Sequence, residues 1–306
     1  MFDIIPDIHG QADKLTARLT QLGYAKRYGA WRHPDAERTC IFLGDFIDRG
    51  PKNAEVIDII RHMIDAGTAM AVMGNHELNA IQFHTVDPEN GLPLRPHSHK
   101  NLKQHASFLK EFPIGSDPTS EAINWMKSLP LFLESYGFRF VHACWDEDVV
   151  SRLAKVTING RLSDDQFIEA GKIGEALHGL VETTTKGPES ELPEGYSFVD
   201  EGGNLRREVR LQWWNGDART WRDMALSVPD PTELPNLDLP AHIRPSVYAE
   251  DAHPVFFGHY WLSGEPEQQS RNALCLDYSA GKDGPLVAYR TSELGERIDL
   301  ANIVVD

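Results

Sequence analysis

The chain has 306 residues, 41% hydrophobic and 25% charged, enough to bury a substantial core in one large domain or two small ones. A formal charge of −16, from 30 basic and 46 acidic side chains, weighs against nucleic acid polymers and anionic membranes as partners. With no apolar run near the roughly 18 residues of a membrane span, no signal-like N-terminus and only Cys40, Cys144 and Cys275, a reducing cytoplasm is the expected setting.

In chain order, Phe2–Pro6 reads as a short apolar strand entering the loop Asp7–Gly10. Ala12–Leu22 follows with helical periodicity through Leu15, Leu19 and Leu22. Residues 39–43 form a second strand, Asn53–Ala66 an amphipathic helix ended by Gly67, and Ala69–Met73 a third strand running into GNHE. This βαβ pattern predicts a mainly parallel sheet with functional loops at the strand ends. Residues 84–120 are polar and histidine-rich and read as an inserted loop, with helices over Leu102–Glu111 and Ser120–Ser128. Gly137–Ala143 is another strand. Residues 146–205 hold one or two helices over Asp164–Leu180 and a Gly/Pro/Glu-rich loop, an insertion with too little periodic apolar sequence for a core of its own. VFFGH (255–259), ALCLDYS (273–279) and LVAYR (286–290) close the fold as strands.

The strand-end loops share a chemistry. Asp7-Ile8-His9-Gly10, Gly44-Asp45-Phe46-Ile47-Asp48-Arg49-Gly50, Gly74-Asn75-His76-Glu77, Val141-His142-Ala143 and Gly258-His259 each follow a short apolar strand and offer oxygen or imidazole donors. Carboxylates leave water at high cost unless paired or bound to metal. A mixed donor set of this kind suits Mn, Fe or Zn, and six ligands with one bridging carboxylate can hold two ions. Bound cations would also reverse the acidic field locally for an anionic substrate.

The tokens DxHG, GDxxDRG and GNHE, followed in order by VHA and GH, resemble the calcineurin-like metallophosphoesterases. The nearer likeness is to their phosphoprotein phosphatase branch, which includes bacterial diadenosine tetraphosphatases. The likeness covers about residues 1–145 and 253–290, and WMKSLPLFLE (125–134) is similar to the branch's W-x-x-x-L-P connection. It implies a four-layer α/β fold, a β-sandwich flanked by helices, as one domain over 1–306 with insertions at about 84–120 and 146–210. It implies two divalent metal ions, with Mn first and Fe or Zn as alternatives. Asp7, His9 and Asp45 would hold one ion, and Asp45, Asn75, His142 and His259 the other. His76 would be the general acid, oriented by Asp48, and Arg49 would grip phosphate. Among Arg206, Arg207 and Arg210, the likeness favours Arg210 as a second phosphate ligand.

The expected reaction is hydrolysis of a phosphomonoester, on a small molecule or a phosphoprotein, by a hydroxide shared between the cations. A dinucleoside polyphosphate hydrolase, with Trp213 or Trp214 stacking a base, is the alternative. Pro6 stands where the family has a glycine, which is tolerable at a strand end that needs no N–H. Cys144 stands where glycine is common and reads as a buried structural thiol. Tyr278 is a further site candidate. His84, His97, His99 and His105 read as members of a solvated loop, Asp146–Asp148 as a helix start, and Trp213–Trp214 as a core or lid pair.

Overall fold

The computed structural model describes residues 1–200, 203–243 and 247–305. Two sheets stack face to face. The first has five strands in the order Ile303–Val304, Ala288–Arg290, Phe2–Ile5, Thr39–Phe42, Ala69–Ala71. Its last three run parallel, as the βαβ pattern predicts, and Ala288–Arg290 pairs antiparallel to Phe2–Ile5, Asp3 opposite Arg290 and Ile4 opposite Tyr289. The second sheet runs Ala273–Cys275, Val255–Phe257, Phe138–Val141, Phe132–Ser135, parallel except at the Phe132–Ser135 edge.

Strand alternation decides which side chains meet. Phe2, Ile4, Ile41 and Leu43 from the first sheet face Phe138, Phe140, Phe256, Leu274 and Leu276 from the second, all fully or nearly fully buried. Phe2 contacts Phe140 edge-on, with ring centroids 5.5 Å apart. Truncating Phe140 to alanine in such a layer costs about 3–5 kcal/mol. The opposite phase of the same strands, Ile5, Cys40 and Phe42, packs under the helices through Leu15, Leu19, Val56, Ile60 and Met63. On the outer face of the second sheet, Val141, Val255, Phe257 and Cys275 are covered by Trp213, Trp214, Tyr248 and Tyr260.

Several elements differ from expectation. Asn75–His84 is a helix in which every residue from Asn75 to Phe83 is buried. Buried all round, it has no apolar stripe to betray it. Ala25–Arg27 and Ala30–Arg32 form a hairpin. The helices expected over 102–111 and 120–128 are His99–Gln104, Ala106–Glu111 and Asp117–Lys127. Asp164–Ala170 and Ala176–Lys186 are separate helices, and Glu147–Val156 begins where Asp146 accepts from the Asp148 and Val149 N–H groups. The insertion expected to lack a core of its own, 146–205, contributes Leu192 and Phe198 to an apolar cluster built mostly from residues further along the chain. Leu192, Phe198, Val209, Leu211, Ala218, Trp221, Met224, Leu234 and Leu239 form this cluster around the strands Glu189–Glu191, Glu208–Leu211 and Ala225–Leu226. Of these strands only Glu208–Leu211 supplies more than one of the cluster's residues, Val209 and Leu211, too few to read as periodicity. No helix among the described residues is long and apolar enough to cross a membrane.

Candidate active site

The loops that leave the parallel strands are laced together before any ligand is considered. The Asp45 carbonyl accepts from the Ile8 and His9 N–H groups at 3.0 and 2.9 Å, and Gly10 N–H donates to the Phe46 carbonyl at 2.7 Å. Beneath them, the carboxylate of Glu77 accepts from the N–H groups of Asp45, Phe46 and Gly74 at 2.8, 2.8 and 3.0 Å. The backbone is held in the left-handed region at His9, Asp45, Asp48, Arg49 and His259. Non-glycine residues rarely adopt it, and such strain concentrates at functional sites. Two glycines permit the close approach. A Cβ at Gly74 would overlap the Asp45 backbone nitrogen and Oδ1, and one at Gly258 would overlap Asp7 Oδ1.

At the centre lies Asp45, almost fully buried, with an oxygen toward each of two donor groups. Oδ2 is 3.6 Å from His9 Nε2 and 3.9 Å from His76 Nε2. Oδ1 is 3.4 Å from His142 Nε2. His142 Nε2 is in turn 3.2 Å from Asn75 Oδ1, which lies 2.8 Å from His259 Nδ1. His9, Asp45 and His76 form one set of converging donors, and Asp45, His142 and His259 the other. Asp7 belongs to neither set; both its oxygens accept from the His259 backbone N–H at 3.1 Å.

The hydrogen bonds at the back of the rings fix what the front offers. His9 Nδ1 meets the Ile47 carbonyl at 3.0 Å and His142 Nδ1 meets the Leu43 carbonyl at 2.7 Å, so each Nδ1 carries the proton. Burial and the nearby His76 push the His9 imidazole down to about 3, so it is neutral at neutral pH. Its Nε2, buried and without a hydrogen-bond partner, therefore points a lone pair toward a carboxylate oxygen. His142 is raised to about 10 by Asp45 and Asp7, although burial alone would lower it. Burial and the neighbouring Asp277 raise Asp7 well above the usual carboxylate range. The crowded carboxylates thus draw protons onto Asp7 and His142, protons that bound cations would displace. Divalent cations fit that donor set, with imidazoles already oriented by carbonyl partners.

His76 is placed by two contacts. Its backbone N–H donates to Asp45 Oδ1 at 2.8 Å, and its Nδ1 lies 2.6 Å from Asp48 Oδ2. Burial works against its protonation, but Asp45 and Asp48 raise it above the ordinary histidine value. Asp48 is held well below the carboxylate range: burial opposes this, and hydrogen bonds from His105 and His76 outweigh it. His105 Nδ1 sits 2.7 Å from Asp48 Oδ1 and the ring is buried, which corrects the reading of His105 as part of a solvated loop. His97 and His99 are exposed as expected, and His84 is half-buried.

Arg49 lies with its guanidinium 4.0 Å from the ring centroid of Trp261. Arg210, half-buried, pairs with Glu189 at 3.2 Å, and its charge, after burial, is the next cause of the depressed His259 basicity. Arg206 pairs with Asp200 and Arg207 is exposed. Trp213 and Trp214 are core residues, Trp213 donating to the Ala143 carbonyl at 3.0 Å, which removes them as a base-stacking surface. Cys144 is buried in the same aromatic cluster. Tyr278 packs between the sheets and its hydroxyl accepts from Glu267 N–H, while its neighbour Asp277 is raised by burial and by Asp45 and accepts from the Trp261 and Ser279 N–H groups. Sequence reasoning gave no role to Glu77, His105, Asp277 or Trp261. Asp277 carried the same sequence signal as Asp7 and Asp45, a carboxylate just past a short apolar strand.

A layered sandwich with its donors gathered at the strand ends defines a class of metal-dependent hydrolases. Residues 1–260 match the profile of calcineurin-like phosphoesterases, and the chain belongs to that family. Over 75 residues it is 47% identical to the bis(5'-nucleosyl)-tetraphosphatase PrpE [asymmetrical] of Halalkalibacterium halodurans, a match covering 24% of this chain and 30% of that protein. The chain thus spans under a third of that relative's length. A symmetrical bis(5'-nucleosyl)-tetraphosphatase of Yersinia pestis is 24% identical over 298 residues, 94% of this chain and 88% of the other. Among solved structures, a protein serine/threonine phosphatase from Saccharomyces cerevisiae superposes with a TM-score of 0.50 at 15% identity, over 100% of this chain and 78% of that one. That likeness speaks to the fold.

Proposed function

We propose that the protein hydrolyses phosphomonoesters at a two-metal centre, with Mn first and Fe or Zn as alternatives. The observation that carries the reading is the convergence of His9 Nε2 and His142 Nε2, one on each oxygen of the buried Asp45 carboxylate, at 3.6 and 3.4 Å. Asp7, His9 and Asp45 would hold one ion, and Asp45, Asn75, His142 and His259 the second. Such ions, when bound, activate water and neutralise charge on phosphoryl oxygens. The chain's own residues do the rest. Arg49 and Arg210 grip the phosphoryl group through planar forks. His76, its Nδ1 held by Asp48, keeps a proton on Nε2 for the departing oxygen.

A dinucleoside polyphosphate is the second reading. The names of the two tetraphosphatase relatives favour it, and so does Trp261, a half-buried ring beside Arg49 that could lie against a base. The deciding experiment is turnover of p-nitrophenyl phosphate, a phosphopeptide and diadenosine tetraphosphate by Mn-loaded, metal-stripped and Asp45→Asn protein. Metal-dependent phosphate release from the monoesters supports the first reading, with Asp45→Asn inactive and short of two ions per chain. Selective nucleotide release from the tetraphosphate supports the second, and full activity after stripping would overturn both.

A further inference from the structure

His105 sits at the junction of the helices His99–Gln104 and Ala106–Glu111, in the histidine-rich insertion, where the backbone leaves helical geometry for one residue. Its N–H still donates to the Asn101 carbonyl and its carbonyl accepts from Leu109, so the turn is hydrogen-bonded on both sides. The ring stacks on Phe108, centroids 4.6 Å apart and planes 18° from parallel, and meets Phe83 at 5.2 Å. Held there, its Nδ1 reaches the Asp48 oxygen that His76 does not use, 2.7 Å against 2.6 Å for His76 and the other oxygen. An ionised carboxylate only accepts, so both rings donate to it. A carboxylate bonded by one ring can swing about its χ2 torsion; one bonded on both oxygens cannot without breaking a buried hydrogen bond. The insertion is itself pinned to the helix that carries His76, because Arg95 donates to Asn79 Oδ1 at 2.7 Å and to Gln104 Oε1 at 2.9 Å.

We infer that His105 is a positioning residue: it locks Asp48 so that Asp48 can fix the orientation of His76, which makes the insertion a working part of the catalytic centre. The inference rests on the reading of His76 and Asp48 as an acid pair.

The test is steady-state kinetics of wild type, His105→Ala and His105→Asn, alone and in an Asp48→Asn background, on aryl and alkyl phosphates, with ion content counted. The expected result is a kcat loss of ~10- to 100-fold for His105→Ala, the size seen when partners that orient site residues are removed. The loss should be largest for alkyl phosphates, with KM and ion content unchanged. His105→Asn, whose amide N–H can stand near the Nδ1 position, should recover most of it. In the Asp48→Asn background, His105→Ala should cost nothing further. An equal cost in both backgrounds, or an unchanged kcat, would overturn the inference. A wild type without turnover would sink the proposed function instead. The inference would then be read from the low-field imidazole N–H signals of 15N-histidine-labelled protein, where His105→Ala must shift the His76 signal and an unmoved signal refutes it.

Discussion

The guanidinium of Arg49 rests over the indole of Trp261, 4.0 Å from its centroid, and His9 lies against the same ring at 5.0 Å. Arg49 is exposed, so the ring is what keeps a long side chain over the site. Arg49→Ala should raise KM by about tenfold, one lost charge-assisted contact. Trp261→Leu should raise it only about 2- to 5-fold, the worth of an exposed cation–π contact. The double variant should match Arg49→Ala. Multiplying effects would mean that the ring acts without the guanidinium.

His76→Ala should lower kcat by about 10²- to 10⁴-fold, the range of general acid catalysis. Alkyl phosphates should suffer most, since an activated aryl oxide leaves without help. Two ions per chain should remain. Loss of an ion would instead make His76 a ligand, which its place beside His9 and Asp45 makes a real alternative.

Gly258→Ala should behave like a ligand mutation although it adds only a methyl group. Its Cβ would overlap Asp7 Oδ1, so the carboxylate must move and ion content should fall. Gly179→Ala is the control. That helical glycine has open space around it, and alanine there should leave ion content unchanged and stabilise by about 0.5–1 kcal/mol. Equal ion content in both variants would disprove the close approach.

Burial first, and then His105 and His97, push His84 down to about 4. The unfolded chain takes up this proton near 6.5, so between about 6.5 and 4 it binds more protons than the folded chain. Stability should therefore be full above that window and fall as pH drops through it. In metal-stripped protein, the unfolding free energies from urea titrations at pH 7 and pH 5 should differ less for His84→Leu than for wild type, by about 1 kcal/mol. The exposed His99→Gln should leave the difference unchanged.

The donor loops were legible because each lies just past a short apolar strand, where chain direction and the polar switch coincide. GDFIDRG and GNHE therefore announced both the site and the family. Residues that support the site were less visible. Glu77 lies within a quoted motif, but its three backbone partners come from two loops. His105 looked solvated because its neighbours are polar, and only the fold brings Phe83 and Phe108 against its ring. Asp277, just past the strand Ala273–Cys275, went unnoticed beside Tyr278 because sequence alone does not show which of two neighbours turns toward the donor loops. Arg210 was already favoured over Arg206 and Arg207 by the family likeness, and in the fold it is the half-buried one of the three.

His259 donates its backbone N–H to Asp7, a residue 252 positions earlier in the chain. Contacts of that separation close only after everything between them has been made. During synthesis the Asp7, Asp45 and Asn75 loops can gather on their parallel strands while most of the chain is still unmade. The second sheet must dock before His142 and His259 join them. The complete donor set thus needs the chain as far as residue 259, and a nascent chain stopped short of it would lack one of the six candidate ligands. On the proposed ligand set, ion loading would come late in the life of the chain and would report that both sheets are in place.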